Sequence, residues 1–538
     1  MKKNSFIEGT IIATLGILIV KVIGIIYVIP FNAIITEQGG ALYGYGYNIY
    51  QLFLSISSAG FPFAISKITS EYNALGYKRA IKDTYKEALK IISIISIVAF
   101  LILFIFAPSI GRLILGSATG GNTISDVAFV IRAVSFAILV IPFLSVTKGL
   151  LQGYKYITPY SVSQVIEQVI RVIVILVGSY LCMRVFNFPL RYAVGISMLG
   201  AFFGGVVAYL YLRKKIKKSE ILDKSKDDGK VISKEEIVRK IFMYSIPFIL
   251  ISLVNNLYTT VDMILLSRTM SDILKFPASI MESIVGVYTT WGVKLNNIIL
   301  AISTGLVTSL IPNIVTSYTK KDMNDVKDKF NKAMQCVLLV IVPMTIFLSL
   351  LVKPVWTLFY GTSTYGPIVY KVFVFTALFG GFYTIIINTL QGLSKYKLVM
   401  ISVLVGLITN AILDIPMMLL FDGLGMNVSY GAIVAALIGY TFSISLSMYN
   451  LKKKYGFKYR PTFKRLPKYF VSYIIFVLVI IILKLFIPTD LSGRLIQIPI
   501  LIVYGVISFG IYLVVNYKNG NLVSVFGNKI NEIIKRSN

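Results

Sequence analysis

Fourteen apolar segments, each long enough to cross a lipid bilayer, follow one another along the chain of 538 residues. A bilayer core about 30 Å thick needs about 20 helical residues, because each residue advances a helix by about 1.5 Å. The 56% share of hydrophobic residues also exceeds that of ordinary soluble domains. The sequence therefore predicts an all-α polytopic membrane protein with 14 transmembrane helices, near residues 7–31, 42–67, 88–111, 126–149, 157–183, 191–213, 239–266, 283–313, 332–355, 366–392, 397–420, 429–450, 466–488 and 494–517.

The positions of the basic residues predict how the chain is oriented. The formal net charge is +30, and its lysines and arginines cluster in the short loops that follow even-numbered segments, whereas the other loops carry few charges. Basic loops stay in the cytoplasm, so both termini should be cytoplasmic and the odd-numbered loops should be external. Charges arranged in this way predict topology, and no nucleic-acid partner is expected. The basic loop residues are Lys78, Arg79, Lys82, Lys86, Lys155, Arg213, Lys214, Lys215, Lys217, Lys218, Lys320, Lys321, Lys395, Lys397 and Lys452 to Lys454.

The residue types that are missing exclude several kinds of chemistry. The chain contains no histidine, which removes histidine-based acid–base catalysis and most zinc sites. Cys182 and Cys336 lie in separate apolar segments and are interpreted as inert buried thiols. Gly229-Lys230 lacks the upstream glycine and the following Ser or Thr of a phosphate-binding loop. We therefore expect no catalytic residues, no ATP hydrolysis and no cofactor, with Na⁺ or H⁺ coupling left open and no metal other than Na⁺.

Similar short sequences on either side of a charged linker indicate an internal duplication. Leu151-Gln152-Gly153 at the end of the fourth segment matches Leu390-Gln391-Gly392 at the end of the tenth. Matching segments of equal orientation predict two six-helix bundles related by a pseudo-twofold axis along the membrane normal, an arrangement found in transporters. The predicted domains are an N-terminal lobe (1–213), a cytoplasmic linker (214–238), a C-terminal lobe (239–450) and helices 13 and 14 with a cytoplasmic tail (451–538).

Lys21 lies near the middle of the first apolar segment. A lysine stem reaches about 6 Å, whereas the nearer end of the segment is roughly 13 Å away at helical rise. A lysine at the bilayer centre costs about 2.5 to 3.5 kcal/mol, so it must be hydrated or paired. Lys21 therefore either faces a watery cavity or belongs to a helix that is displaced toward the interface.

Further polar residues interrupt the fifth and eighth segments. Glu167 and Arg171 are one helical turn apart, and Gln164 lies on the preceding turn. They form either a self-neutralising structural pair or part of a cavity in which Arg171 meets an anion. Lys294 lies deep in the eighth segment, and with Lys21 it would supply one cation from each predicted bundle. An anion is the cargo that such a pair of lysines predicts.

Oxygen-bearing side chains in the eleventh and seventh segments suggest a second kind of site. Asn410 and Asp414 are four residues apart on one helix face, and Asn255 and Asp262 occur in the seventh segment. Hard cations such as Na⁺ favour carboxylate and amide oxygens. Hydrogen bonding between helices explains the same residues, and both interpretations stay open.

Three sequence blocks together resemble one transporter family. They are Lys21-Val22-Ile23-Gly24, Gly39-Gly40-Ala41-Leu42-Tyr43, and the run from Gln152-Gly153 through Thr158-Pro159 to Ser163–Arg171. These blocks resemble the polysaccharide flippases of the MOP superfamily, on the Gram-positive branch with MurJ-type lipid II flippases and stage V sporulation protein B.

The resemblance implies movement of an undecaprenyl-diphosphate-linked sugar from the inner to the outer leaflet of a bacterial plasma membrane by alternating access. It implies that Lys21 and Lys294 line the cavity and that Asn410 and Asp414, with a group on helix 7, bind Na⁺. Ala436 stands where the family's sodium-binding threonine is expected. The implied partners are the anionic lipid-linked oligosaccharide and membrane lipids, and a monomer is the default.

Three alternatives belong to other classes of protein. A cation-coupled drug exporter of the same superfamily would favour unpaired carboxylates over cavity lysines. A membrane glycosyltransferase would need a polar domain or a long loop with acid–base residues, which the short external loops do not provide. A scaffold without transport would leave charges deep in both halves without a purpose.

Overall fold

The computed structural model describes residues 6–219, 221–222 and 232–527, and throughout these ranges the regular structure is helical. Contacts between residues divide the chain into two compact units, Met1–Thr290 and Trp291–Asn538. The unit boundary falls in a π-helical turn, Val287–Trp291. Most of the predicted linker and the end of the predicted tail lie outside the described residues.

The described residues of the first unit form ten α-helices. Three shorter π-helical stretches, Val174–Gly178, Leu181–Val185 and Thr269–Ile273, continue two of them. The helices are α1 (Phe6–Ile26), α2 (Val28–Ser58), α3 (Phe61–Ala74), α4 (Lys78–Leu115), α5 (Ile124–Ile138), α6 (Ile141–Gly153), α7 (Ile157–Ile173), α8 (Leu190–Ser219), α9 (Lys234–Arg268) and α10 (Ala278–Gly286).

The second unit is also built from helices. Within it α16 packs along α17, α11 packs on α12 and α15, and α19 pairs with α20. The helices are α11 (Gly292–Thr319), α12 (Met323–Leu350), α13 (Val352–Tyr360), α14 (Gly366–Phe373), α15 (Phe375–Gly392), α16 (Tyr396–Gly423), α17 (Val428–Tyr455), α18 (Arg460–Phe463), α19 (Leu466–Phe486), α20 (Gln497–Lys518) and α21 (Asn521–Phe526).

The helices confirm the predicted class of an all-α polytopic membrane protein. Twelve helical spans among the described residues are long and apolar enough to cross a membrane. The two other predicted segments, 7–31 and 283–313, correspond to α1 and to the helical run from α10 through α11. Fourteen crossings are therefore consistent with the described helices.

The predicted gap between the first two segments is helical. α2 begins at Val28 and runs to Ser58, and its backbone leaves helical geometry at Thr36, where φ is 61° and ψ is −169°. The helix then continues through Gly39 and Gly40, which are buried. Close packing explains why glycine is needed at position 39, because a Cβ there would lie 2.7 Å from Ile35 Cβ, across the Thr36 interruption, and 3.1 Å from the Leu190 side chain of α8.

Helix α9 packs within the first unit. It contacts α2, α3 and α4. At one end Lys240 Nζ lies 2.9 Å from Glu71 Oε1 of α3, and the rings of Phe248 and Phe63 are 4.0 Å apart. The lobe boundaries drawn from the duplication stay a prediction.

Small residues bring α7 and α8 close together. A Cβ at Gly204 would lie 2.5 Å from the Glu167 carbonyl oxygen, and one at Gly200 would lie 2.9 Å from the Arg171 carbonyl oxygen. Pairs of small residues four apart commonly mediate close packing of membrane helices. The two glycines therefore fix the backbone of α7 at two of its charged residues.

We expect Gly204→Ala to destabilise the protein, because the added methyl group meets the α7 backbone. Gly505→Ala makes the same change in α20, where no atom lies within 4 Å, and should be neutral or stabilising by up to about 1 kcal/mol through helix propensity. Thermal unfolding of the two purified variants measures the difference. Equal midpoints would contradict the packing argument.

Candidate functional site

One face of α7 carries a row of polar side chains. Tyr160, Gln164, Glu167 and Arg171 recur every three or four residues, which places them on the same side of the helix. Arg171 Nη2 lies 2.7 Å from Glu167 Oε1, and Gln164 Nε2 donates a hydrogen bond to the Tyr160 hydroxyl at 3.1 Å. The ion pair expected from the four-residue spacing is present.

Lys148 of α6 joins this row. Its Nζ lies 2.7 Å from Glu167 Oε2, so the carboxylate contacts one cation through each oxygen. The side chains of Lys148, Glu167 and Arg171 are 13%, 16% and 25% exposed. Sequence analysis missed Lys148 because it lies beside the end of the predicted fourth segment, where a lysine ordinarily reaches the interface.

The buried cluster of Lys148, Glu167 and Arg171 carries two positive charges and one negative charge. A carboxylate in a poorly hydrated site is stabilised only when it is paired and hydrogen-bonded. Each oxygen of the Glu167 carboxylate contacts one cation, so the carboxylate is paired twice. The cluster therefore keeps a net charge of one positive unit. This excess gives the first unit a site that attracts anions.

Two polar atoms at the cluster, Arg171 Nε and Gln164 Oε1, are buried and have no hydrogen-bond partner among the described residues. The first is a donor and the second an acceptor. Buried polar groups are ordinarily paired, so an unpaired donor and acceptor mark a place where a ligand or water completes the network. The pair suits a ligand that carries both anionic oxygens and hydroxyl groups.

A stripe of tyrosines on α2 lies near the same cluster. Tyr43, Tyr47 and Tyr50 follow one helix face, with ring centroids 5.6 Å apart for the first pair and 6.0 Å apart for the second. All three lie within electrostatic range of Arg171. The candidate site of the first unit is therefore built by α2, α6 and α7.

Lys21 lies on α1, which packs against α7. A Cβ at Gly16 would lie 3.0 Å from Ser161, and one at Gly24 would lie 3.6 Å from Gln168 Nε2. Lys21 is half-buried. Within the described ranges its ammonium group makes no hydrogen bond or ion pair. Its role as a cavity residue stays a prediction.

The remaining predicted site residues divide between the two units. Asp262 of α9 is buried and accepts a 2.9 Å hydrogen bond from the Tyr288 hydroxyl, while Asn255 of the same helix is exposed. In the second unit, Asn410 and Asp414 of α16 are both 0% exposed, and Lys294 of α11 is half-buried. No described group of three or more His, Cys, Asp or Glu side chains could hold a metal ion. A Na⁺ site that combines α9 with α16 stays a prediction, as does pairing of Lys294 with Lys21.

Comparison with known proteins decides the family. A family model described as "Polysaccharide biosynthesis protein" matches residues 6–318. The lipid II flippase MurJ of Bacillus subtilis (strain 168) is 30% identical over 541 residues, which covers 98% of each chain. The chain belongs to the polysaccharide biosynthesis protein family. Stage V sporulation protein B of the same organism is 25% identical over 346 residues, which covers 63% of this chain and 64% of that protein.

Solved structures show that this polysaccharide biosynthesis family member shares its fold with known membrane transporters. A lipid II flippase MurJ in an inward closed conformation matches with a TM-score of 0.65 and 16% identity, covering 94% of this chain and 98% of the other. An inward-facing multidrug resistance MATE transporter matches with a TM-score of 0.62 and 15% identity, covering 80% and 96%. The relatives are membrane transporters and not enzymes, which confirms the expectation that the protein is not an enzyme.

We expect Glu167→Gln to destabilise the protein by about 3–5 kcal/mol, because it leaves two buried cations without a counter-charge. Adding Lys148→Gln to that variant should recover part of the loss. Glu87→Gln, which breaks the Lys90–Glu87 pair whose lysine is 64% exposed, should cost no more than about 1 kcal/mol. Thermal unfolding of these variants, of Lys148→Gln alone and of the native protein measures these differences, and additive effects of the paired substitutions would argue against the cluster.

Proposed function

We propose that this protein is a flippase that moves an undecaprenyl-diphosphate-linked sugar, specifically the peptidoglycan precursor lipid II, from the inner to the outer leaflet by alternating access. The observation that carries this proposal is the surplus positive charge of the Lys148–Glu167–Arg171 cluster, with the unpaired Arg171 Nε and Gln164 Oε1 beside it. The MurJ relative, similar over nearly its whole length, supports the choice of substrate.

The chemistry of the cargo fits the cationic groups that we assign to the cavity. A diphosphate carries acidic oxygens that pair with Arg171, Lys21 and Lys294, and the sugar offers hydroxyl groups to Gln164. The prenyl tail can remain in lipid, for which the apolar faces of α19 and α20 provide a surface. Arginine binds phosphate through several N–H donors in a fixed plane, while lysine acts as a point charge.

The membrane potential can drive outward movement without ATP. An inside-negative potential repels anions from the cytoplasm. Each negative charge that moves outward therefore releases about 2.3 kcal/mol per 100 mV, or roughly 4 to 5 kcal/mol for two charges. This direction of transport requires the orientation inferred from the basic loops, with both termini in the cytoplasm. The two predicted lobes would rock about the central site, and the protein would act as a monomer.

A coupling ion is a further part of the proposal. The buried Asn410 and Asp414 offer one amide and one carboxylate oxygen on a single helix face, and Asn255 or Asp262 of α9 would complete a Na⁺ site. If H⁺ is the coupling ion instead, the same carboxylates are the candidate carriers. Ala436 stands where a sodium-binding threonine is expected, so this Na⁺ site would have one side-chain ligand fewer.

A MATE-like cation exporter is the second candidate function. Buried carboxylates at Asp262 and Asp414 favour it, because such groups attract cationic cargo. The surplus positive charge near α7 favours the flippase. Another lipid-linked polysaccharide precursor would use the same groups as lipid II.

The proposal predicts that the protein keeps bacterial cells alive when their own lipid II flippase is depleted, with lipid II accessible to a probe at the outer face. Lys21→Ala or Lys294→Ala should abolish this rescue, because the diphosphate loses a counter-charge. Lys21→Arg should retain it. Lys464→Ala, which removes an exposed lysine, is the matched control.

Each result separates the alternatives when the variants are equally expressed and inserted. Rescue that survives both alanine substitutions would exclude the cationic cavity. No rescue by the native chain would exclude lipid II and direct attention to another lipid-linked sugar. Resistance to cationic drugs in the same cells would support the exporter.

Na⁺ binding predicts that NaCl raises the thermal midpoint more than choline chloride at equal ionic strength. A ligand present at 100 times its dissociation constant stabilises by about 2.7 kcal/mol. Asp414→Asn should remove the Na⁺-specific part, because it removes the charged ligand. Identical midpoints in the two salts would exclude Na⁺ at this site.

A further inference from the structure

The loop between α4 and α5 is held at both ends by acidic side chains, one from the π-helical turn that follows α9 and one from α10. All of these residues belong to the first unit, and the predicted orientation places them on the outer side. At the start of the loop, Ser117 N donates to Asp272 Oδ1 at 2.7 Å, and the Ser117 hydroxyl donates to the Ser271 carbonyl oxygen at 3.1 Å. At its end, Asn122 N donates to Glu282 Oε1. We name this arrangement the outer clamp.

The two carboxylates of the outer clamp have different surroundings. Asp272 is accompanied by Arg268, whose Nε lies 2.8 Å from its Oδ2, and both side chains are partly exposed. Glu282 is 2% exposed and forms no ion pair with any described residue. A buried carboxylate without a cation favours its neutral form, because burial penalises the charge.

The groups around Glu282 do not compensate for its charge. The Tyr45 hydroxyl of α2 is buried nearby, and Asn122 contributes neutral donors. The charged group close enough to affect the Glu282 carboxyl group is Asp126 of α5, whose negative charge repels a second negative charge. Its cationic neighbour, Arg191, lies 3.7 Å from Asp126 itself. Burial, with the repulsion from Asp126, raises the pKa of Glu282 to about 7.

We propose that Glu282 is a proton-binding site that controls the outer clamp. Its neutral carboxyl group accepts the Asn122 N–H through the carbonyl oxygen and stays buried at little cost. Loss of the proton leaves a buried anion, which water would stabilise if the loop moved away from α10. Protonation therefore favours the closed clamp, and deprotonation favours opening.

The pH dependence of clamp closure follows from the difference in the pKa of Glu282 between the closed and open forms. The pKa is about 7 in the closed clamp and near the ordinary value of about 4.3 when the carboxyl group is exposed. The closed form thus binds the proton more tightly, and its advantage fades as pH rises through 7. From pH 6 to pH 8 the ratio of closed to open clamp should fall about tenfold.

Glu282 lies apart from the residues that we assign to the cargo. A proton site on the outer side would make outward opening sensitive to external pH. That consequence for transport rests on the proposed function, whereas the opening of the loop does not. A measurement on protein without substrate therefore tests the proton site separately.

The test is a distance measurement between spin labels at Thr119→Cys in the loop and Lys275→Cys before α10, in full-length protein whose two native cysteines are replaced by serine. Both positions are exposed. Asp272→Asn weakens the other end of the clamp without removing Glu282, so it should increase the open population while the pH dependence stays. Glu282→Gln mimics the neutral carboxyl group and should keep the clamp closed from pH 6 to pH 8.

Each outcome decides the proposal. A ratio of closed to open clamp that falls about tenfold from pH 6 to pH 8 in the Asp272→Asn background, and stays constant when Glu282→Gln is added, supports the proton site. Distances that do not respond to pH in that background would overturn it. A pH response that persists in Glu282→Gln would assign the titration to another group and would also overturn it. None of these results depends on whether lipid II is the cargo.

Discussion

The cost of placing charge in a poorly hydrated helix bundle governs the candidate site. Glu167 is tolerable inside the first unit because Lys148 and Arg171 neutralise both of its oxygens at 2.7 Å. This condition requires α6 and α7 to lie side by side with little tolerance. The glycines of α8 position one of these two helices, since Gly200 and Gly204 allow α8 to approach the α7 backbone at the residues that carry the charges. Close packing of small residues and electrostatic pairing thus depend on each other.

Much of the fold could be predicted from the sequence, because a bilayer leaves few choices. Apolar segments of sufficient length must be helices when every backbone group needs an internal partner. The gap predicted between the first two segments differs from the structure, in which α2 runs through it from Val28 to Ser58. Gly39 and Gly40 resemble a loop in sequence, whereas both are buried in α2 and Gly39 lies close to Leu190 of α8. A glycine in a membrane helix can thus indicate contact with a neighbour as well as a break in the helix.

The candidate site was only partly predictable. A spacing of four residues on one helix was enough to predict the pair of Glu167 and Arg171, because helical geometry fixes it. Lys148 and Glu282 could not be found in this way, since their partners lie 19 and 160 residues away. Both contacts depend on how separate helices pack. The glycines that follow Lys148, Gly149 and Gly153, pack on Pro62 and Thr69 of α3, so they gave no signal for its contact with α7.

The interruption at Thr36 has a mechanical consequence for α2. A continuous helix transmits rotation from one end to the other, whereas a residue with φ of 61° and extended ψ breaks that transmission. The short piece before Thr36 follows α1, which carries Lys21, while the longer piece carries the tyrosine stripe, and α2 packs on α5 and α8. Threonine pays a conformational penalty in this region, which glycine alone occupies readily. The direction of the first piece of α2 is therefore set by a strained residue and not by the helix that follows it.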